Sequence, residues 1–142
     1  MASLAKNQKT VIFAIETSCD ETAMALLEAR GGLARPHFRL IKNATLSQIT
    51  MHQEFGGVVP NIAKREHIKA LPLMIASFKN LPEFEEAKMI AVTVGPGLAP
   101  ALWTGIEFAK ELGKRTDKKV FAANHIKAVS YTHLTLPTNR EV

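Results

Sequence analysis

Residues 89–114 read MIAVTVGPGLAPALWTGIEFAKELGK, and this stretch decides the fold. Met89–Val94 is an apolar run of strand length, of the kind a parallel sheet buries on both faces. Gly95-Pro96-Gly97 ends it. From Ala99 to Lys114 the apolar positions Leu102, Ile106, Ala109 and Leu112 recur at helical spacing, which gives one stripe to lay across a sheet. Val120–Ala123 is again strand-like, so the segment reads as two parallel strands joined by a helical crossover.

Upstream, Val11–Ile15 and Thr22–Leu27 are short β-prone runs joined by the polar turn Glu16–Glu21, the pattern of a hairpin. A third extended segment, about Phe38–Ala44, follows the turn region of Gly31-Gly32 and Pro36. The chain from Thr45 to Pro60 is loop-like and contains Gly56-Gly57. Beyond it, Ile62, His67, Ala70, Met74 and Phe78 lie near helical spacing. Pro60 suits a helix start, whereas Pro72 is expected to kink or divide the helix by removing a backbone donor. The resulting order, βββαβαβ, begins antiparallel and continues with parallel strands. That is the topology of a ribonuclease-H-like α/β lobe, cut before its final helix, with part of one sheet face expected to be left uncovered.

The chain has 142 residues, room for one domain, and its 46% hydrophobic and 22% charged residues suit a folded, water-soluble protein. Apolar runs such as Leu71–Ala76 fall far short of the roughly 20 residues that span a bilayer. Residues 1–10 read as an extension, and Val11–Ile15 is too short a core for a signal peptide. The single cysteine, Cys19, cannot form an internal disulfide and agrees with a reducing, cytoplasmic setting. The net charge of +5 comes from dispersed lysines. It suits either an acidic partner such as RNA or a solvated basic surface.

Residues 129–142, VSYTHLTLPTNREV, abandon the periodicity of the lobe. Val129–Thr138 resembles one reading frame of a sequencing-library adapter, so the expected division is extension 1–10, lobe 11–128 and a non-native tail 129–142. The alternative is a natural strand through Tyr131, Thr132, Leu134 and Thr135. The nucleotide sequence of codons 128–142 distinguishes them: adapter bases are expected there.

Three places carry chemistry. Glu16–Thr22 sets hydroxyls and carboxylates in a tight turn that can face a phosphate or its metal. Asp20, with Glu21, is the candidate for an electrostatic or water-positioning role, and a turn aspartate bonded to its own backbone is the alternative. Cys19 reads as a small packing residue or a thiol nucleophile, and no histidine adjoins it in sequence. Gly95, Pro96 and Gly97 lie between a strand and a helix, where backbone can approach an anionic substrate. They match neither a P-loop nor G-x-G-x-x-G. His125, in Asn124-His125-Ile126-Lys127-Ala128, ends a strand where open α/β sheets place ligands. A histidine four residues on would complete a metal pair on one helix face, but that position is Val129. His52 and His67 flank the Gly56-Gly57 loop and could reach the same cleft, or could simply be solvated or packed against a helix.

These motifs, in this order, resemble the TsaD family, tRNA N6-adenosine threonylcarbamoyltransferases of the actin-like ATPase (ASKHA) superfamily. The resemblance rests on AIETSCDET at 14–22, SQITMHQEFGGVVPNIAKREH at 47–67, AVTVGPGLAPALWTGIEFAK at 91–110 and NHIKA at 124–128. It implies transfer of a threonylcarbamoyl group from threonylcarbamoyl-AMP to N6 of adenosine 37, in tRNAs that read codons beginning with adenine. It further implies one Fe²⁺ or Zn²⁺ held by an H-x-x-x-H pair and a distant aspartate, of which only the first ligand matches, as His125. The partners implied in bacteria are an inactive ASKHA paralogue and a small P-loop ATPase. On this reading the chain is an N-terminal fragment, inactive by itself.

Three other functions stand against this one. A non-catalytic scaffolding paralogue should lack Asp20, Glu21 and His125. A metalloprotease requires H-E-x-x-H, whereas this chain has His125-Ile126-Lys127. A sugar kinase shares the topology, but fold alone does not fix the reaction.

Overall fold

The computed structural model describes residues 8–32 and 34–125, together with the backbone of Arg140–Glu141. Val129 and nearly all of the unusual tail lie outside the described residues, as do residues 1–7 of the extension. The β-branched run around Val11 forms β1 (Thr10–Glu16), which pairs antiparallel with β2 (Glu21–Arg30). β3 (His37–Ser47) pairs antiparallel with β2. After two helices, α1 (Ile49–Gln53) and α2 (Pro60–Lys79), a short α3 (Pro82–Glu86) leads into β4 (Met89–Gly95). The crossover helix α4 (Ala99–Thr116) then delivers β5 (Lys119–Asn124). β4 runs parallel to both β1 and β5, and the sheet order is β3-β2-β1-β4-β5-β6. β6 is Arg140–Glu141, two residues paired antiparallel with Phe121 and Ala122.

The expected strands and both long helices form, and four sequence expectations need correction. The segment after Thr45 is not all loop: β3 continues to Ser47 and α1 adds one turn of helix. Pro72 does not divide α2. It lies on the exposed side, and Ile68, whose carbonyl would have accepted its missing bond, is itself exposed. The third correction is an addition, since Pro82–Glu86 folds as α3 with Pro82 in its first turn. Finally, β4 is not buried on both faces. Ile90 and Val92 are fully buried, whereas Met89 and Ala91 are half-buried and Val94 is exposed.

The reason is that the long helices share one face. Val11, Phe13 and Ile15 of β1, Met24 and Leu26 of β2, and Ile90 and Val92 of β4 form one core with Leu71, Met74, Ile75 and Phe78 of α2 and Ile106, Ala109 and Leu112 of α4. Phe13 is its centre, meeting Phe78 and Phe84 edge-on with ring centroids 5.3 Å apart in each case. The other face, with Ile12, Ala14, Ala25 and Leu27, is only half-buried, as expected for a sheet covered on one side.

At the rim of the core, buried Lys118 donates its ammonium to the carbonyls of Phe84 and Ala87 and sits 4.9 Å over the Phe84 ring. It thereby closes the C-terminal end of α3. Lys118→Met should leave both carbonyls unpaired and destabilise the fold by about 1–3 kcal/mol in denaturant unfolding.

Candidate active site at the carboxyl ends of the parallel strands

Because β1, β4 and β5 are parallel, their last residues, Glu16, Gly95 and Asn124, lie at one edge of the sheet. Open α/β sheets form their clefts at that edge. Thr17–Asp20 turns from β1 into β2 there, and each of its four residues is tied to a different anchor. The buried Thr17 hydroxyl donates to Ala101 O at 2.8 Å, and Leu98 N–H donates to Ser18 O at 2.8 Å, both from the start of α4. His67 Nε2 on α2 donates to Cys19 O at 2.9 Å. Gln48 N–H, ahead of α1, donates to Asp20 O at 2.8 Å. The turn backbone is thus set by α1, α2 and α4 together, with the Asp20 side chain half-buried.

The glycine loop is pressed against this turn. A Cβ on Gly97 would lie 2.5 Å from Ser18 O, and one on Gly105, a turn and a half into α4, would lie 2.3 Å from Thr17 Oγ1. Glycine at both positions is therefore required by close approach. The loop also contains the cis Gly95-Pro96 bond.

Glu16 is the residue the sequence reading did not single out. Its carboxylate accepts from Ser18 N–H, from the Thr93 hydroxyl on β4 and, at 3.2 Å, from His125 Nδ1 at the end of β5. It therefore joins the turn to all three parallel strand ends. Burial opposes ionisation of Glu16, but the hydrogen bonds from Ser18, Thr93 and His125 outweigh it and hold the pKa below the usual carboxylate value. A carboxylate closing the row that Ile12 and Ala14 begin is the sequence signal that could have found it.

Of the expected site residues, Asp20, Gly95, Pro96, Gly97 and His125 come together at this edge, while Glu21 opens β2 with an exposed side chain. Burial, then the charge of Asp20, pushes the Cys19 thiol pKa up, which favours packing over nucleophilic chemistry. His52 and His67 are neither solvated nor merely packed: both are buried and hydrogen-bonded, and His67 touches the turn.

Among the described residues, no three histidine, cysteine or carboxylate side chains converge as a metal site. His125 is half-exposed, and with Nδ1 directed at Glu16 its Nε2 is the nitrogen left for a ligand, the arrangement in which a carboxylate orients a metal-binding imidazole. The residues present fit one donor of a metal centre and do not complete it.

A 3-2-1-4-5 sheet with a polar turn, a glycine loop and a histidine at its parallel strand ends defines a ribonuclease-H-like α/β lobe. Solved structures agree on the fold: YeaZ from Pseudomonas aeruginosa superposes with a TM-score of 0.50 at 16% identity, over 88% of this chain and 49% of that one. An uncharacterized protein similar to peptidase YEAZ, from the same organism, gives 0.52 at 15% identity over the same shares. The family model of TsaD, tRNA N6-adenosine threonylcarbamoyltransferase, matches residues 39–141, and the chain belongs to that family. The matched span crosses the 128/129 boundary drawn from the sequence. Relatives carrying that enzyme name include one from Fervidobacterium nodosum, 44% identical over 118 residues, or 82% of this chain and 33% of that protein. One from Thermosipho africanus is 39% identical over 138 residues, covering 89% and 38%. The chain thus spans little more than a third of the length of these relatives.

Gly97→Ala should force the loop away from Ser18. In hydrogen exchange the Leu98 amide, which bonds Ser18 O, is expected to lose protection about tenfold or more, while the Phe13 and Leu26 amides in the sheet keep theirs.

Proposed function

We propose that this chain contributes the N-terminal lobe of an enzyme that transfers a threonylcarbamoyl group from threonylcarbamoyl-AMP to N6 of adenosine 37 in tRNAs reading codons that begin with adenine. The observation that carries the proposal is the meeting of the Thr17–Asp20 turn with the Gly95-Pro96-Gly97 loop at the strand ends, in a chain of the TsaD family. In the reaction the adenosine amine attacks the carbamoyl carbon, the bond from that carbon to the phosphate oxygen breaks, one proton leaves N6, and AMP departs. The glycine loop and the first amides of α4 offer backbone donors to the phosphate, and Asp20 orders the cleft opposite them.

The proposed cofactor is one Fe²⁺ or Zn²⁺, with His125 Nε2 as one ligand and the remaining donors outside the described residues. Such an ion would polarise the acyl-phosphate. With one donor of that site the chain by itself is expected to be inactive. The inactive ASKHA paralogue and the small P-loop ATPase are proposed as partners. Exposed Trp103 on α4 and Ile68 on α2, flanking an outer groove of about 830 Å³, support a protein partner on the helical face. No helix among the described residues is long and apolar enough to cross a membrane, and a cytoplasmic setting is part of the proposal.

The test is transfer of labelled threonylcarbamoyl to tRNA by a full-length family enzyme containing this lobe. Asp20→Ala should lower kcat/KM by about a hundredfold or more, as expected when a group that orders reactants is lost. Unchanged transfer removes Asp20 from the mechanism.

A further inference from the structure

Behind the Thr17–Asp20 turn lies a line of buried polar side chains. Its hydrogen bonds have one consistent direction. Val59 N–H donates to His52 Nδ1 at 3.1 Å, so His52 carries its proton on Nε2 and donates to Gln48 Oε1 at 2.9 Å. The Gln48 amide nitrogen donates to Ala63 O at 3.4 Å and, as the longer branch of a bond shared with the Thr22 hydroxyl, to His67 Nδ1 at 3.4 Å. A carbonyl can only accept, so His67 Nε2 carries the proton given to Cys19 O, and its Nδ1 accepts from the Thr22 hydroxyl at 2.7 Å. With Nδ1 of both rings facing donors and Nε2 of both facing carbonyl oxygens, the pattern requires the Nε2–H tautomer at His52 and at His67.

We propose that His67, Gln48 and His52 form a positioning relay that couples the Gly56-Gly57 loop to the Asp20 turn. One end is the Val59 amide, just beyond the exposed residues Phe55, Gly56 and Gly57. The other end is the Cys19 carbonyl, one peptide from the Asp20 carbonyl, which accepts from the Gln48 amide. Gln48 thus holds the turn through its backbone and the relay through its side chain. A ligand that shifts the loop changes what Val59 offers His52, and the change reaches Asp20 through three side chains without contact between loop and turn. His52, Gln48 and His67 are all buried, so water cannot easily replace a lost link. Burial holds the His67 pKa below the usual imidazole value against the opposing pull of Cys19 O, Glu16 and Asp20, with His52 acting in the same direction as burial. The proposal rests on the transferase reading only in giving Asp20 a task; the coupling belongs to the protein without substrate.

The experiment combines NMR of the imidazole nitrogens with amide hydrogen exchange on this chain, in wild type, His52→Ala and His52→Gln. Both wild-type rings should show the Nε2–H tautomer, and the His67 titration should lie below the usual imidazole range. His52→Ala should speed exchange at Gln48 and Leu98, whose amides bond the turn, by about tenfold. The sheet amides of Phe13 and Leu26 should be unchanged. His52→Gln, whose side-chain amide can donate to Gln48 Oε1, should restore most of that protection. Should His52→Ala lose sheet protection as well, His52→Gln becomes the deciding variant, and it must keep Gln48 and Leu98 protected. An Nδ1–H tautomer at either ring overturns the relay. So does His52→Ala changing only the Val59 amide, because that is the mark of a local contact. Loss of transferase activity in any full-length variant has no bearing on these readouts.

Discussion

The site depends on satisfying the backbone carbonyls of three consecutive turn residues. Ser18, Cys19 and Asp20 leave a strand at a covered edge, where an unpaired carbonyl costs about 1–3 kcal/mol. Each finds its donor on a separate piece of chain: the loop before α4, the side of α2 and the residue preceding α1. That requirement explains features otherwise unrelated in sequence. Gly97 and Gly105 are bare so that α4 comes close enough to the turn. A histidine occupies a fully buried position in α2, where an apolar residue would pack but could not donate. Gln48, isolated between a strand and a single turn of helix, is buried for the same reason.

Much of this architecture was legible in the sequence because its signals are local. β1, β4 and the stripe Leu102, Ile106, Ala109 and Leu112 announce themselves by period and composition, and all four stripe residues are buried as expected. The turn, glycine loop and His125 were each visible as motifs, and strand order was enough to bring them to one edge. The misses arise where tertiary placement decides. Pro72 is harmless on an exposed face. The half-buried face of β4 follows from both helices choosing the same side, which no local pattern encodes.

The unread part of the site is long-range by nature. Glu16 meets Thr93 and His125 across separations of 77 and 109 residues, and His67 meets Thr22 across 45. Spacing rules see i, i+3 and i, i+4, not these. The sequence reading placed Glu16 in the polar turn, although it ends β1 and faces the neighbouring strands. His67 was seen as part of a helical stripe, a correct inference about burial that left its partners undefined.

The half-buried sheet face has a relief of its own. Register places Leu27, Ile12 and Met89 side by side as a ridge across β2, β1 and β4. The next row, Ala25, Ala14 and Ala91, is a trough of methyl groups, and Phe121 on β5 stands at its end. Layers stacked on a sheet ordinarily sit about 10 Å away, a distance set by large side chains, and over three alanines a covering element settles closer. This relief gives whatever covers the face a preferred seating, with its bulk along the trough and one flank turned towards Glu16, so the sheet itself helps to set how the second layer is aligned with the site.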